Sequence, residues 1–322
     1  MDFGFKGQVT EDHLRELSRR AAQFTDYMSQ YFPAASDERI DLDDIDAFKV
    51  AHNIVDCWED FGQYEELKDV NVEGMDFRVE DQGRVYHLVI LDRKILDLDD
   101  DTEMGRQSCD AALKETYLHE LSHMVLKHQG AFTFSDDASP DIMSRMFWRS
   151  LQFFKDEKVS HLDAELMATV IGFWPTRDFT SMFRTTCFNM REIANSYKMT
   201  VESSVQWALI QYHDSLHMHY VKRLEHADGG RSELVSTYGL EGDVDVFQMK
   251  HSAASDAYER KADADSTNKV GEYACRAFYE KKCYAYGAKS DFIIVLGRKR
   301  NNYFDGDDPF AGRIEVSPSK DL

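Results

Sequence analysis

Proline is scarce in this chain, at five of 322 residues, and 17 glycines are few for such a length. So few helix breakers argue against a loop-rich or all-β fold and leave room for long helices. The five cysteines (Cys57, Cys109, Cys187, Cys275 and Cys283) include no C-x-x-C pair. They exclude a zinc ribbon and form no disulfide framework, as expected of a reducing compartment. Positive charge is also in deficit: 38 Lys and Arg stand against 59 Asp and Glu, a net −21. That balance opposes non-specific binding to nucleic acid or anionic lipid. No window approaches the ~20 apolar residues that cross a bilayer. The start, Met1-Asp2-Phe3-Gly4-Phe5-Lys6, has no basic stretch leading into an apolar core, so no signal peptide is expected and the expected location is cytoplasmic.

What the chain does have is 43% apolar residues, enough for a sizeable core, and one chemically pointed string. Tyr117-Leu118-His119-Glu120-Leu121-Ser122-His123 contains His-Glu-x-x-His inside an apolar-periodic run. Imidazoles four residues apart sit one helical turn apart on one face, close enough to hold one metal ion. Glu120 between them is placed to take a proton from an attacking water. Leu113, Tyr117, Leu121 and Met124 form an apolar stripe, with His119, His123 and Thr116 on another flank. A helix over about 107–127 thus turns its stripe to the core and its histidine edge to a cleft, as a catalytic Zn²⁺ site requires.

Catalytic zinc usually takes three protein ligands. The candidates lie in a second helical stretch, Asp141 to about Gly172, with a break near Lys155. Its core stripe is Leu162, Leu166 and Val170. Glu157, His161 and Glu165 recur every four residues on another flank, and Asp163 is off it. His119-Glu-Leu-Ser-His123 followed by this Ala-acidic-x-x-Ala helix resembles the ImmA/IrrE-like zinc metallopeptidases and, more loosely, the Lit-type phage-exclusion peptidases. In those zincins the second helix carries a zinc-binding Glu with an Asp or Asn four residues later. Laid on Ala164-Glu165-Leu166-Met167-Ala168, the resemblance puts His161 at the ligand place and Glu165 at the supporting one. His for Glu is a departure, and Asp163 and Glu157 remain alternative third ligands.

Around these motifs the expectations are coarser. Residues 10–31 read as a helix with Leu14, Leu17, Ala21, Phe24 and Met28 facing the core. Asp43 or Asp44 caps a second helix running to about Leu67. Met75–Val79 and Arg84–Leu91, joined at Asp81-Gln82-Gly83, read as a hairpin. Met190–Leu209 reads as helix, turn, helix with Thr200 as a cap, like a helix pair that ImmA/IrrE-like proteins carry after the peptidase motifs. Val201–Ile210 has no Lys or Arg, so direct nucleic-acid binding is not expected. The histidine-dense 211–226 reads as a solvated helical face, Asn268–Tyr284 as a helix, and Phe292–Leu296 as a strand.

Together these give an α+β, predominantly helical fold. A zincin-like core with a small sheet occupies 75–228, with a helical region over 1–74 and an α+β region over 229–322. The expected activity is zinc-dependent hydrolysis of a specific intracellular protein, a transcriptional repressor or a host factor. His119, His123 and His161 would hold Zn²⁺ and Glu120 would act as the base. The alternative is a non-catalytic, partner-binding protein with a structural or vestigial zinc site.

Overall fold

The computed structural model describes residues 7–9, 11–31, 39–67, 72–99, 101–128, 131–133, 142–156, 161–186, 189–212, 216–225, 232–239, 253–260, 264–270, 273–283 and 289–299. Within them the chain is an α+β protein with more helix than strand. Strand β1 (Gly7–Val9) precedes helix α1 (Glu11–Tyr31), whose Leu14, Leu17, Ala21 and Phe24 are buried at the expected spacing. Helix α2 (Leu42–Ala51) is capped by Asp41, two residues before the first of the aspartates expected to cap it. Asp41 accepts the N–H groups of Asp43 and Asp44, and the Asp44 carboxylate accepts the Asp41 N–H in return. That reciprocal box satisfies otherwise orphaned donors at the helix start.

The expected run of α2 to Leu67 is not observed. His52 caps the helix, Asn53 turns left-handed at φ 54°, and Ile54–Glu59 forms strand β2. The apolar residues there serve sheet burial, because β2 pairs in parallel with β4. The hairpin is present as β3 (Gly74–Asp81) and β4 (Arg84–Asp92). Gln82 and Gly83 both have positive φ, 48° and 76°, the backbone of a two-residue turn matched to strand twist. With β5 (Ala131–Thr133) the sheet runs β2-β4-β3-β5.

Helix α3 (Glu103–Val125) carries the His-Glu-x-x-His string and is capped by Thr102, whose hydroxyl accepts the Gly105 N–H at 2.9 Å. Helices α4 (Ile142–Asp156) and α5 (His161–Gly172) follow, separated where the break was expected. Val89 and Leu91 join Tyr117, Leu118 and Leu121 of α3 in the main core. Met75, Phe77, Val79 and Ile90 instead pack with Met146 and Phe147 of α4. The four-stranded sheet therefore lies between α3 and α4.

Helix α6 (Thr176–Thr185) leads to the helix pair α7 (Met190–Tyr197) and α8 (Val201–Gln211). Every residue from Val201 to Tyr212 is buried, so α8 offers no open face to a groove. Its N-terminus is met by carboxylates from two directions. Glu115 of α3 accepts the Thr200 N–H at 2.6 Å, and Glu280 accepts the Val201 and Glu202 N–H groups. Negative charge is favourable at a helix N-terminus, where donors and dipole both point outward.

The last part differs most from expectation. Strands β6 (Leu216–Glu225), β7 (Ser232–Gly239), β8 (Ala264–Val270), β9 (Tyr273–Cys283) and β10 (Lys289–Lys299) join β1 in a six-stranded sheet of order β1-β7-β6-β10-β9-β8. The helical readings of 216–225, 268–270 and 273–283 are thus corrected to strand, while Phe292–Leu296 forms the middle of β10. Both faces of this sheet are covered. Cys275, Ala277 and Tyr279 pack with the alanines of a short helix at 253–260, whereas Phe278 faces the main core. A strand buried on both sides loses the alternation that distinguishes it from a helix. This sheet draws β1 from 1–74, β6 from 75–228 and the rest from 229–322, and the main core also takes residues from all three ranges. The tail beyond Lys299, together with His213 and His226, lies outside the described residues.

Candidate metal centre

Helix α3 passes through the middle of the protein, and its local chemistry fixes it there. Lys114 donates to the Tyr197 carbonyl at 2.6 Å, and Glu115 takes the Thr200 N–H. Tyr117 donates to Asp56, which also pairs with Lys49 at 2.8 Å. These ties set the rotation of α3 and so decide where the next turn points.

On that turn His119 and His123 bring their Nε2 atoms to 3.1 Å. His161, the first residue of α5, lays its ring parallel to that of His119 at 5.9 Å between centroids, and stands 5.0 Å from His123. One ligand atom from each of the three lies within 4.8 Å of the others. Two nitrogens bound to one tetrahedral zinc at ~2.0–2.1 Å would be about 3.3 Å apart. The donor set therefore fits a single small cation with little adjustment, and three imidazoles suit zinc.

The other ligand candidates are not brought in. Asp163 turns to α1, where it pairs with Arg20 at 2.7 Å. Glu157 lies outside the described residues. Glu165 sits one turn beyond His161 on α5, half-buried.

Protonation favours metal binding as well. Burial, then neighbouring His161, pushes the His119 pKa down to about 3. Burial and the adjacent imidazoles hold His123 well below its ordinary value. His161 is exposed at the start of α5, yet the packing around its ring and His128 still lower its pKa. Neutral imidazole is the form that ligates.

No protein-family model matches the chain. No curated protein matches its sequence either. A solved structure described as a Mycobacterium tuberculosis transcriptional regulator superposes with a TM-score of 0.46 at 10% identity, over 90% of this chain and 82% of that one. A likeness that faint carries no weight for function.

Glu120 is buried beside the cluster, in a setting the sequence did not reveal. Strand β3 crosses α3 so closely that a Cβ on Gly74 would stand 2.7 Å from Thr116 Cγ2 and 3.1 Å from Glu120 Oε1. The Asp76 N–H donates to the Glu120 carboxylate. Burial, then the Asp76 carboxylate, raises the Glu120 pKa well above the ordinary carboxylate range, and that N–H opposes the rise. A cation beside Glu120 would oppose it further. Neither Gly74 nor Asp76 stands out in a single sequence, because what matters about them is the helix they touch.

His128 is a further histidine near the cluster. It follows the last turn of α3, where Lys127 adopts φ 60° and donates to the Met124 carbonyl at 3.0 Å. His128 N–H then donates to the His123 carbonyl at 2.8 Å. These paired bonds are a Schellman turn, built with lysine where glycine is usual. The turn folds the chain back and leaves the His128 ring 5.9 Å from that of His123.

Proposed function

We propose that this protein is a zinc-dependent endopeptidase acting in the cytoplasm on one specific protein, such as a transcriptional repressor or a host factor. The observation that carries the reading is the meeting of His119, His123 and His161 within 4.8 Å, next to the buried carboxyl of Glu120. The three imidazoles would hold the ion. When bound, zinc supplies a Lewis acid that acidifies water and polarises a carbonyl.

Glu120 does the proton work. Its carboxylate takes a proton from the attacking water and passes it to the departing amine. Gly74 leaves it room, and the Asp76 N–H fixes one side of the carboxylate. Burial raises its basicity, which suits a base working near neutral pH. The resemblance to ImmA/IrrE-like metallopeptidases supports the same chemistry, with His161 where those proteins use Glu.

The test is a degenerate peptide library read by mass spectrometry, run with wild-type protein and Glu120→Gln, alongside zinc analysis of both. The expected result is cleavage by wild type only, with about one zinc per chain in each protein. Cleavage that survives Glu120→Gln at the wild-type rate overturns the mechanism.

A further inference from the structure

Resting on the reading above, we propose that His128 is a second catalytic residue, donating a hydrogen bond to the oxyanion that forms as the scissile carbonyl is attacked. Three observations lead there. The Schellman turn at the end of α3 is spent on returning His128 toward His123, and it does so with a non-glycine residue in the left-handed region. Such a backbone is unfavourable for a residue with a side chain and persists where its surroundings hold it.

The second observation is the composition of the ligand group. His119, His123 and His161 converge on one point, and His128 is not in that group although its ring is 5.9 Å from His123. Three ligands leave a tetrahedral ion one position for water or substrate. A fourth imidazole near that group but not part of it would be available to meet a substrate oxygen bound at the open position.

The third is the ring's own bonding. His128 Nδ1 is shielded from solvent and has no hydrogen-bond partner among the described residues. A buried nitrogen left in that state is destabilising. The other ring nitrogen or this one can carry the N–H, and a neutral imidazole always has one to donate. Donors aimed at a developing oxyanion act strongly because they are in place before the reaction starts. Attack by water forms the new C–O bond, moves the carbonyl π electrons onto oxygen, and sends the water proton to Glu120. His128 stabilises that oxygen without gaining or losing a proton, and the C–N bond then breaks with the proton leaving on the amine.

The experiment compares wild type, His128→Ala and His128→Gln as zinc-loaded proteins. Removing such a donor lowers kcat by about 100-fold or more, with KM and zinc content unchanged. Gln, which keeps an N–H donor, recovers part of the rate. Binding of inorganic phosphate, a tetrahedral oxyanion, is measured by calorimetry in parallel. It weakens about tenfold in His128→Ala and recovers partly in His128→Gln, for the same electrostatic reason.

Unchanged kcat and phosphate affinity in His128→Ala overturns the proposal. So does loss of zinc from that variant, which would make His128 a fourth ligand of a closed structural site. If no peptide is cleaved by wild type but phosphate binding depends on His128 as stated, the peptidase reading fails while the oxyanion site stands. Cleavage that is indifferent to His128 leaves the peptidase reading intact and removes this residue from it.

Discussion

The ammonium of Lys114 lies 2.6 Å from the carbonyl oxygen of Tyr197, at a point where Lys114 has no exposed surface. The bond joins helix α3, five residues before His119, to the last residue of α7. Burial is the main reason that the Lys114 pKa is pushed down to about 7; Lys198 adds to it, while Glu115, Asp41 and Asp44 oppose it. A lysine with a lowered folded-state pKa binds more protons unfolded than folded, here between about pH 7 and its ordinary 10.5. Stability therefore rises with pH across that window.

Lys114→Met tests this. It removes the titrating group and strands the Tyr197 carbonyl, so it costs about 1–3 kcal/mol at pH 9. At pH 6, where wild type bears the full penalty of a buried charge, the gap narrows. Urea midpoints at the two pH values read the difference, and a gap independent of pH would contradict the burial argument.

The proposed third ligand, His161, is separable from its neighbour Asp163. His161→Ala is expected to lose zinc under mild chelation that leaves wild type loaded, since two protein ligands remain. Asp163→Asn is expected to keep its zinc. It loses only the partly exposed pair with Arg20, a cost of at most about 1 kcal/mol. Metal content after dialysis against a weak chelator distinguishes them.

Gly74→Ala places a methyl group 2.7 Å from Thr116 and 3.1 Å from Glu120. Both neighbours belong to the buried helix α3, so the strand must move. The expected loss is about 1–3 kcal/mol of stability, with zinc retained and turnover reduced more than substrate affinity. Wild-type melting and turnover in this variant would show that β3 yields freely.

Glu280→Ala removes the carboxylate that receives two N–H groups at the buried start of α8. Hydrogen bonds to a charged acceptor contribute more than neutral ones, and the helix dipole adds to them. A loss of about 2–4 kcal/mol is expected in urea unfolding. The Glu280→Gln variant should lose less, because its side-chain oxygen can still accept.

Much of the helical half was legible because it rests on local chemistry. Thr200 caps α8 and Gln82-Gly83 turns the hairpin, each through residues within a few positions. Two histidines four apart needed only a helix to meet. By contrast, β6 was misread because its partner β10 lies far along the chain, and β9, whose partners β8 and β10 are its neighbours in sequence, because it presents apolar residues to both faces of the sheet. The run 54–59 was misread for a related reason: only β4 makes it a strand.

The candidate site divides in the same way. Sequence by itself determined that His119, Glu120 and His123 share one helical turn, since that follows from 3.6 residues per turn. It favoured His161 as the third ligand and kept Asp163 and Glu157 as alternatives, because all three fall within two turns of one another. Only tertiary structure decided that Asp163 pairs with Arg20 of α1 while His161 faces the other two histidines. The closeness of Gly74 and Asp76 to Glu120, and the return of His128 to the cluster, were likewise decided by packing. Contacts between distant segments depend on where whole elements dock, and no local residue pattern encodes that.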